Sequence, residues 1–162
     1  MCSSEAVVGG QWSVVSGQWS VVSGQWSVVS GQWSDNRIMI VRSFEDLEVY
    51  QGALAFQRSI FKLTKRFPKE ETYSLTDQIR RSSRSVGANI AEAWHKRSYP
   101  NHFASKLSDS DAECAETRHW LQTANDCGYI SLEEFDELVD MALAIGAKLG
   151  NMIQNADKWK PR

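Results

Sequence analysis

The sequence contains two Glu-x-x-His motifs, the pattern with which di-iron bundle proteins bind metal. Glu92 and His95 form one motif, and Glu116 and His119 form the other. Two metal ions need their ligands at one level, yet a turn between the two helices places Glu92 opposite about residue 106, so that Glu116 lies ~15 Å further along the axis. We therefore predict no metal site. No Ser-His-Asp order or Gly-rich phosphate loop stands out either, so we predict no catalytic residue and no cofactor. A di-metal carboxylate oxidase is the alternative hypothesis.

Basic residues recur at helical spacing on the first and second predicted helices. Those on the first helix follow the spacing i, i+4, i+7, i+11, and those on the second form an i, i+4 pair. The set consists of Arg58, Lys62, Lys65, Lys69, Arg80 and Arg84. Cations that share one face can bind the phosphates of a nucleic acid. We predict nucleic-acid contact at these residues, with an ordinary solvated helix face as the alternative.

A polar stripe follows the second helix, about 100° around the axis from the apolar stripe of that helix. Its members are Gln78, Arg81, Ser85, Asn89 and Glu92. Small residues, which let another backbone approach closely, lie between the two stripes: Ser82, Ser83, Gly87, Ala88 and Ala91. Buried polar groups need hydrogen-bond partners. The polar stripe therefore predicts a contact with another subunit or a ligand, and a solvated face is again the alternative.

Four amphipathic helices must position these residues. Capping-box patterns at Ser43, Ser74 and Ser131 predict three of the helix starts. The first helix closes before Pro68, the second runs to about Lys96, and the third lies between Pro100 and Gly128. Each helix has one row of residues predicted to face the core, which we call its seam. The seams are, in the first helix, Leu47, Tyr50, Leu54, Gln57, Phe61 and Thr64; in the second, Leu75, Ile79, Val86, Ile90 and Ala93; in the third, Phe103, Leu107, Ser110, Cys114, Thr117, Leu121 and Ala124; and in the fourth, Phe135, Leu138, Ala142, Ile145, Leu149 and Met152. The short connections predict an all-α, antiparallel up-down-up-down four-helix bundle.

A heptapeptide, Ser-Gly-Gln-Trp-Ser-Val-Val, repeats almost without error near the N-terminus. It has no Leu, Ile or charged residue, unlike the heptads of coiled coils. Three copies of the base sequence AGTGGTC can encode it, and all three reading frames of that repeat give the same peptide. We therefore expect residues 1–38 to be a disordered low-complexity tail, translated from a DNA repeat, with a folded or functional repeat as the alternative. Residues 39–162 form the predicted bundle domain, and Met39 is a candidate start.

Charge and cysteine content narrow the class of protein. The net charge of the chain is −2, but residues 37–106 hold thirteen Lys and Arg against seven Asp and Glu, whereas residues 107–162 hold five against eleven. Two halves of opposite net charge are typical of a bundle with one basic face. No apolar run approaches the ~20 residues of a membrane span, so we predict no membrane partner. Cys114 and Cys127 are too far apart on one helix to bridge, which favours reduced thiols and a cytoplasmic location.

Three segments resemble the four-helix bundle family encoded in intervening sequences of bacterial large-subunit ribosomal RNA genes. They are FEDLEVYQGALAF, RFPKEETYSLTDQIRRSSRSVGANIAEAW and GYIS, and the resemblance spans about residues 43–157. The family pattern Gln-Ile-Arg-Arg matches residues 78–81, and Ser-(Ile/Val)-x-x-Asn-Ile-Ala-Glu matches residues 85–92. The chain departs from the family at Gly87, where Pro is frequent, and at Ala93, where Gly is frequent.

The resemblance implies a small cytoplasmic protein that can form rings of five and has no established catalytic activity. Related accessory proteins of diversity-generating retroelements bind nucleic acid and a reverse transcriptase. Together with the residue patterns, this predicts a non-enzymatic homo-oligomer, with a pentamer as the implied size. We expect it to act as a scaffold or accessory protein for RNA or a nucleoprotein.

Overall fold

The computed structural model describes residues 41–161, together with the backbone of three short strands inside the heptapeptide repeat. The chain divides into two units, residues 1–40 and 41–162. In the first unit, β1 (Trp12–Ser13), β2 (Ser20–Val22) and β3 (Gln25–Ser27) pair antiparallel in the order β1-β2-β3. Apart from these strands, residues 1–38 lie outside the described residues. The disorder predicted for residues 1–38 and the domain boundary predicted after residue 38 both stay predictions.

The second unit consists of four long helices. These are α1 (Glu48–Leu63), α2 (Asp77–Lys96), α3 (Pro100–Asp126) and α4 (Leu132–Gln154). Residues 41–161 contain no strand, and within them no helix is apolar over a length that could cross a membrane. The prediction of an all-α four-helix bundle is confirmed.

Side-chain contacts show how neighbouring helices run. Between α2 and α3, Arg81 near the start of α2 pairs with Glu116, whereas Glu92 near its end pairs with Lys106. The residue number rises along one helix as it falls along the other, so α2 and α3 are antiparallel. The same opposite order holds between α1 and α4, in the pairs Glu48–Lys148 and Arg66–Glu134.

The three predicted capping boxes have different outcomes. Before α4, Ser131 Oγ accepts from the Glu134 N–H at 3.2 Å, and Glu134 accepts from the Ser131 N–H at 2.9 Å. At Ser43 the box is present, but it opens a 3-10 turn that precedes α1. The start predicted at Ser74 is wrong, because a π-helical turn occupies Thr72–Thr76 and α2 begins at Asp77. The Ser74 hydroxyl donates back to Glu71 instead of capping α2.

The core lies between the four helices, and the predicted seams of α2 and α3 are fully buried in it. The α4 seam is buried except for Phe135, which is half-buried. Polar members of the α3 seam have internal partners: Ser110 donates to the Val86 carbonyl at 2.9 Å, and Cys114 lies 3.5 Å from the Ala142 carbonyl. Burial raises the pKa of the Cys114 thiol to about 11, as expected for a core thiol rather than a nucleophile.

The predicted seam of α1 is wrong: the buried residues lie one position earlier in the sequence, about 100° around the helix axis. The buried residues are Val49, Ala53, Phe56, Ile60 and Leu63. Of the predicted seam, only the two end positions are buried, three positions are half-buried, and the Phe predicted at residue 61 is 41% exposed. The buried set is apolar at every position, whereas the predicted seam contained a Gln and a Thr. The hydrophobic effect therefore favours the observed rotation of the helix.

Small residues on α2 pack inside the subunit. Ser82, Ser83 and Gly87 are buried. The Thr117 hydroxyl of α3 donates to Ser82 Oγ at 2.9 Å, and Gly87 faces Tyr50 of α1. The expectation that these three residues leave room for an outside backbone is therefore wrong. They let α2 pack against its own neighbours.

Candidate nucleic-acid interface

Phe61 lies among the basic residues that were predicted to contact nucleic acid. It occupies the outer side of α1, where 41% of its surface is exposed. The Lys65 ammonium nitrogen is 5.0 Å from the ring centroid, and the guanidinium carbon of Arg80 is 5.1 Å from it. Both distances lie within the range of a cation–π interaction. One exposed aromatic ring therefore contacts cations from two parts of the bundle.

A surface cavity of about 410 Å³ surrounds this ring. Its lining residues are Gln57, Arg58, Phe61, Lys62, Lys65 and Arg84. The volume falls in the range of small-molecule sites, which is roughly 300–1,000 Å³. Four of the six predicted nucleic-acid contacts thus line one cavity, and Arg80 joins them through its contact with the ring.

Arg80 is held in place by a buried hydroxyl. Its Nε donates to Thr64 Oγ1 at 2.7 Å, across the gap between α2 and the end of α1. Thr64 is only 3% exposed and donates in turn to the Ile60 carbonyl at 2.8 Å. The terminal nitrogens of Arg80 make no hydrogen bond within residues 41–161. They are therefore available to an outside acceptor beside the ring.

None of the six predicted cations forms an ion pair within residues 41–161. Other cations of the bundle do so; Arg66 pairs with Glu134, and Lys148 with Glu48. The sixth cation, Lys69, begins a separate 3-10 helix, Lys69–Glu71, and does not line the cavity. The structure therefore brings five of the six residues together. We call the ring of Phe61 and these five cations the basic surface.

Sequence reasoning missed Phe61, which it assigned to the core. A signal was present in its helical neighbours. Positions i−3 and i+4 from Phe61 hold Arg58 and Lys65, and position i+1 holds Lys62. Residues three and four apart share a helix face. An aromatic residue whose face neighbours are cations therefore belongs to the polar side of its helix.

The polar stripe of α2 faces α3 along one side of the bundle. Arg81 pairs with Glu116 of α3 at 2.8 Å, and Gln78 accepts from Arg81 at 3.2 Å. At the other end Glu92 accepts from Lys96 and, at 2.9 Å, from Lys106. These hydrogen bonds, first the one from Lys96, lower the pKa of Glu92. The ends of the stripe thus have partners within the subunit.

The middle of this side has an unpaired carboxylate, Glu113 of α3. By the register of the Arg81–Glu116 and Glu92–Lys106 pairs, it lies between them, about level with Ser85 of α2. One of its carboxylate oxygens is buried and has no hydrogen-bond partner within residues 41–161. Burial, and then the neighbouring charge of Glu116, raise the pKa of Glu113. The half-buried Asn89 also makes no side-chain hydrogen bond in this part of the chain.

The two Glu-x-x-His motifs do not converge. Glu116 lies level with Arg81, whereas Glu92 lies eleven residues further along α2, about 16 Å by helical rise. Each glutamate pairs with a cation instead of facing the other. Among the described residues, no group of three His, Cys, Asp or Glu side chains could hold a metal ion. The motifs therefore do not form one di-metal site in this fold.

Comparison with known families identifies the bundle. Residues 45–151 match the family described as 23S rRNA-intervening sequence protein. The chain belongs to this family. The heptapeptide repeat lies outside the matched residues, and the resemblance seen in the sequence is confirmed.

A solved structure of a related bundle supports the same assignment. The intervening-sequence protein is 31% identical to a Bacteroides thetaiotaomicron protein, described as of unknown function and from the S23 ribosomal protein family. The similarity covers 65% of this chain and 97% of that chain, with a TM-score of 0.60. No curated protein matches the sequence.

Proposed function

We propose that this intervening-sequence protein is a non-enzymatic, cytoplasmic scaffold that binds RNA or a nucleoprotein through the basic surface. One observation carries the proposal: five cations from α1, the turn that follows it and α2 lie around an exposed aromatic ring, two of them in contact with it, and none has a carboxylate partner within residues 41–161. A phosphate that binds there displaces no internal anion. The family description, which names an intervening sequence of 23S rRNA, supports RNA as the ligand class.

The distribution of charge matters more here than its total. A net charge of −2 gives the whole chain no attraction for a polyanion. Five clustered cations create a local positive potential, which is what phosphates respond to. Binding should release counterions, so affinity should fall with salt. If all five cations contact phosphates, the slope of log affinity against log salt is about −3.5 for a single strand.

The test is fluorescence anisotropy with a labelled oligoribonucleotide and the full chain, over a salt series. Arg58→Gln and Arg84→Gln should each weaken binding and reduce the slope by about 0.7. Arg118→Gln, an exposed arginine on α3, is the matched control and should change neither quantity. Absence of binding at low salt, or an equal effect of the Arg118 variant, would contradict the proposal. Recovery and sequencing of RNA from native cells would then name the ligand.

We also propose that the polar side formed by α2 and α3 binds further copies of this chain. The unpaired carboxylate oxygen of Glu113 supports this, since a buried polar atom without a partner costs ~1–3 kcal/mol. A donor from a second subunit would remove that cost. Ser85 and Asn89, the half-buried middle members of the polar stripe, offer hydrogen-bonding groups rather than the Lys and Glu typical of a solvated face. A ring of five is the assembly that the family resemblance implies.

Sedimentation separates this contact from a solvated face. Asn89→Leu and Glu92→Lys should each lower the sedimentation mass and leave the helical circular dichroism largely intact. Asp140→Lys, at an exposed position of α4, is the charge-reversal control and should assemble like the parent. If both stripe variants assemble and melt like the parent, the polar side is merely solvated. Unfolding of the subunit would instead make the stripe part of the bundle core.

A further inference from the structure

We infer that Phe61 is a stacking platform for an unpaired nucleobase, so that the basic surface selects single-stranded over duplex nucleic acid. This inference rests on the proposed function and adds a ligand class to it. Exposed apolar side chains that stand alone are normal on protein surfaces and need no ligand. Phe61 differs because its face neighbours are the cations that would bind the phosphates on either side of a stacked base.

Two cations of the same chain already contact the aromatic ring, and one of them, the Arg80 guanidinium, is planar. The guanidinium carbon of Arg80 lies 5.1 Å from its centroid, held there by the hydrogen bond to Thr64. The Lys65 ammonium, at 5.0 Å, has no ion-pair or hydrogen-bond partner within residues 41–161. Lys65 is therefore the group that a base can displace. Its ammonium would then move to the adjacent phosphate, where it contributes to binding instead of being lost.

The position of Phe61 on the helix suits a single strand. Arg58 lies one turn before it and Lys65 one turn after it, so a strand that follows α1 meets a cation on each side of the ring. Unpaired bases expose a flat face that stacks on an aromatic side chain, whatever the base. In a duplex those faces are covered by neighbouring base pairs. A duplex would therefore meet only the cations, and Phe61 would add nothing to its binding.

The deciding experiment measures the contribution of the base separately from that of the phosphates. Three labelled probes of about 12 units are used with the full chain: oligouridine, an abasic ribose-phosphate oligomer of the same charge, and a duplex RNA. The parent protein should bind oligouridine about tenfold more tightly than the abasic oligomer. The duplex should lack this tenfold gain, because its bases are already stacked on one another. Oligothymidine, an additional probe, should behave like oligouridine, because stacking does not read the sugar.

Substitutions at Phe61 assign that preference to the ring. Phe61→Leu should remove the tenfold preference, so that oligouridine and the abasic oligomer bind this variant about equally. Phe61→Trp should keep or increase the preference. Tyr99→Leu is the matched control, because Tyr99 is also an exposed aromatic, at 69%, and lies outside the cavity. Circular dichroism of each variant verifies the fold, and Phe61→Ile replaces Phe61→Leu if the latter does not fold.

The outcomes separate this inference from the function on which it rests. If the parent protein binds the oligouridine and abasic probes equally, and binding still depends on salt, base stacking is overturned and the proposed function stays intact. Loss of preference in Phe61→Trp as well as Phe61→Leu also overturns stacking. Failure to bind any of the three probes overturns both proposals. Binding of a protein partner that Phe61→Leu abolishes, without any nucleic-acid binding, would do the same.

Discussion

Thr64→Val is the most direct test of how the bundle positions Arg80 in the basic surface. Valine keeps the shape of threonine but removes the hydroxyl that accepts from Arg80 Nε at 2.7 Å. The Ile60 carbonyl keeps a donor, because the backbone N–H of Thr64 also bonds to it. The substitution also removes the bond that the hydroxyl donates to the Ile60 carbonyl, but that carbonyl stays satisfied, so the main loss is the hydrogen bond from a charged donor to a buried acceptor.

The magnitude follows from that bond. Hydrogen bonds to charged groups contribute about 1.5–3 kcal/mol, and water can partly replace Thr64 around the half-buried Arg80, so we expect a loss of about 1–1.5 kcal/mol. For a domain of this size the melting temperature should fall by about 4–6 °C. Thermal and urea unfolding followed by circular dichroism would measure both. Affinity for oligouridine should also fall, because Arg80 loses its fixed position beside Phe61.

A double-mutant cycle with Arg80→Met gives the control. If the two side chains interact as the structure shows, the double variant should be more stable than the sum of the single losses implies, by about 1 kcal/mol. Additive losses, to within about 0.3 kcal/mol, would show that the hydrogen bond contributes nothing. The reasoning about Arg80 would then be refuted, whatever the effect of each single substitution.

Three other predictions concern the rest of the chain. In the unassembled subunit, the raised pKa of Glu113 means that the folded state holds this proton more firmly than the unfolded state, so the stability of the subunit should rise as pH falls through the raised folded pKa towards the ordinary value of 4.5. Glu113→Gln should remove that component of a urea-unfolding pH profile; an identical profile would contradict it. A chain that starts at Met39 should match the full chain in helix content per bundle residue, oligomeric mass and melting temperature, whereas loss of assembly would show a structural role for the repeat. Elemental analysis should find no stoichiometric iron or manganese, and finding either would favour the oxidase hypothesis.

Periodicity predicted the core of three helices because each of them offers one continuous apolar seam. In α3 the seven predicted positions are all buried, including the polar Ser110 and Thr117. Those two hydroxyls could be placed in the core because a helix carbonyl or a facing hydroxyl satisfies them. The polar side of α2 was also visible in the sequence. Glu113 was not, since its burial depends on how α2 packs against α3.

The α1 seam failed because this helix has two apolar sets at the same spacing. Leu54 and Phe61 belong to one set, and Val49, Phe56 and Ile60 to the other, about 100° around the axis. A three-to-four residue period alone does not choose between them. The choice follows from the polar residues, because Gln57 and Thr64 interrupt the first set and no polar residue interrupts the second. The apolar and polar positions taken together predict the correct buried side of α1.

That rotation decides what α1 can do. With Phe56 and Ile60 in the core, Phe61 must lie outside, among the cations of the same helix face. The basic residues were recognised from charge alone, and charge alone fits an ordinary solvated face equally well. An aromatic ring that two cations contact, beside a cavity lined by three more, is a different kind of surface. This combination is the basis of the proposal that the basic surface binds a nucleic acid, with its cations contacting phosphates and its ring stacking on a base.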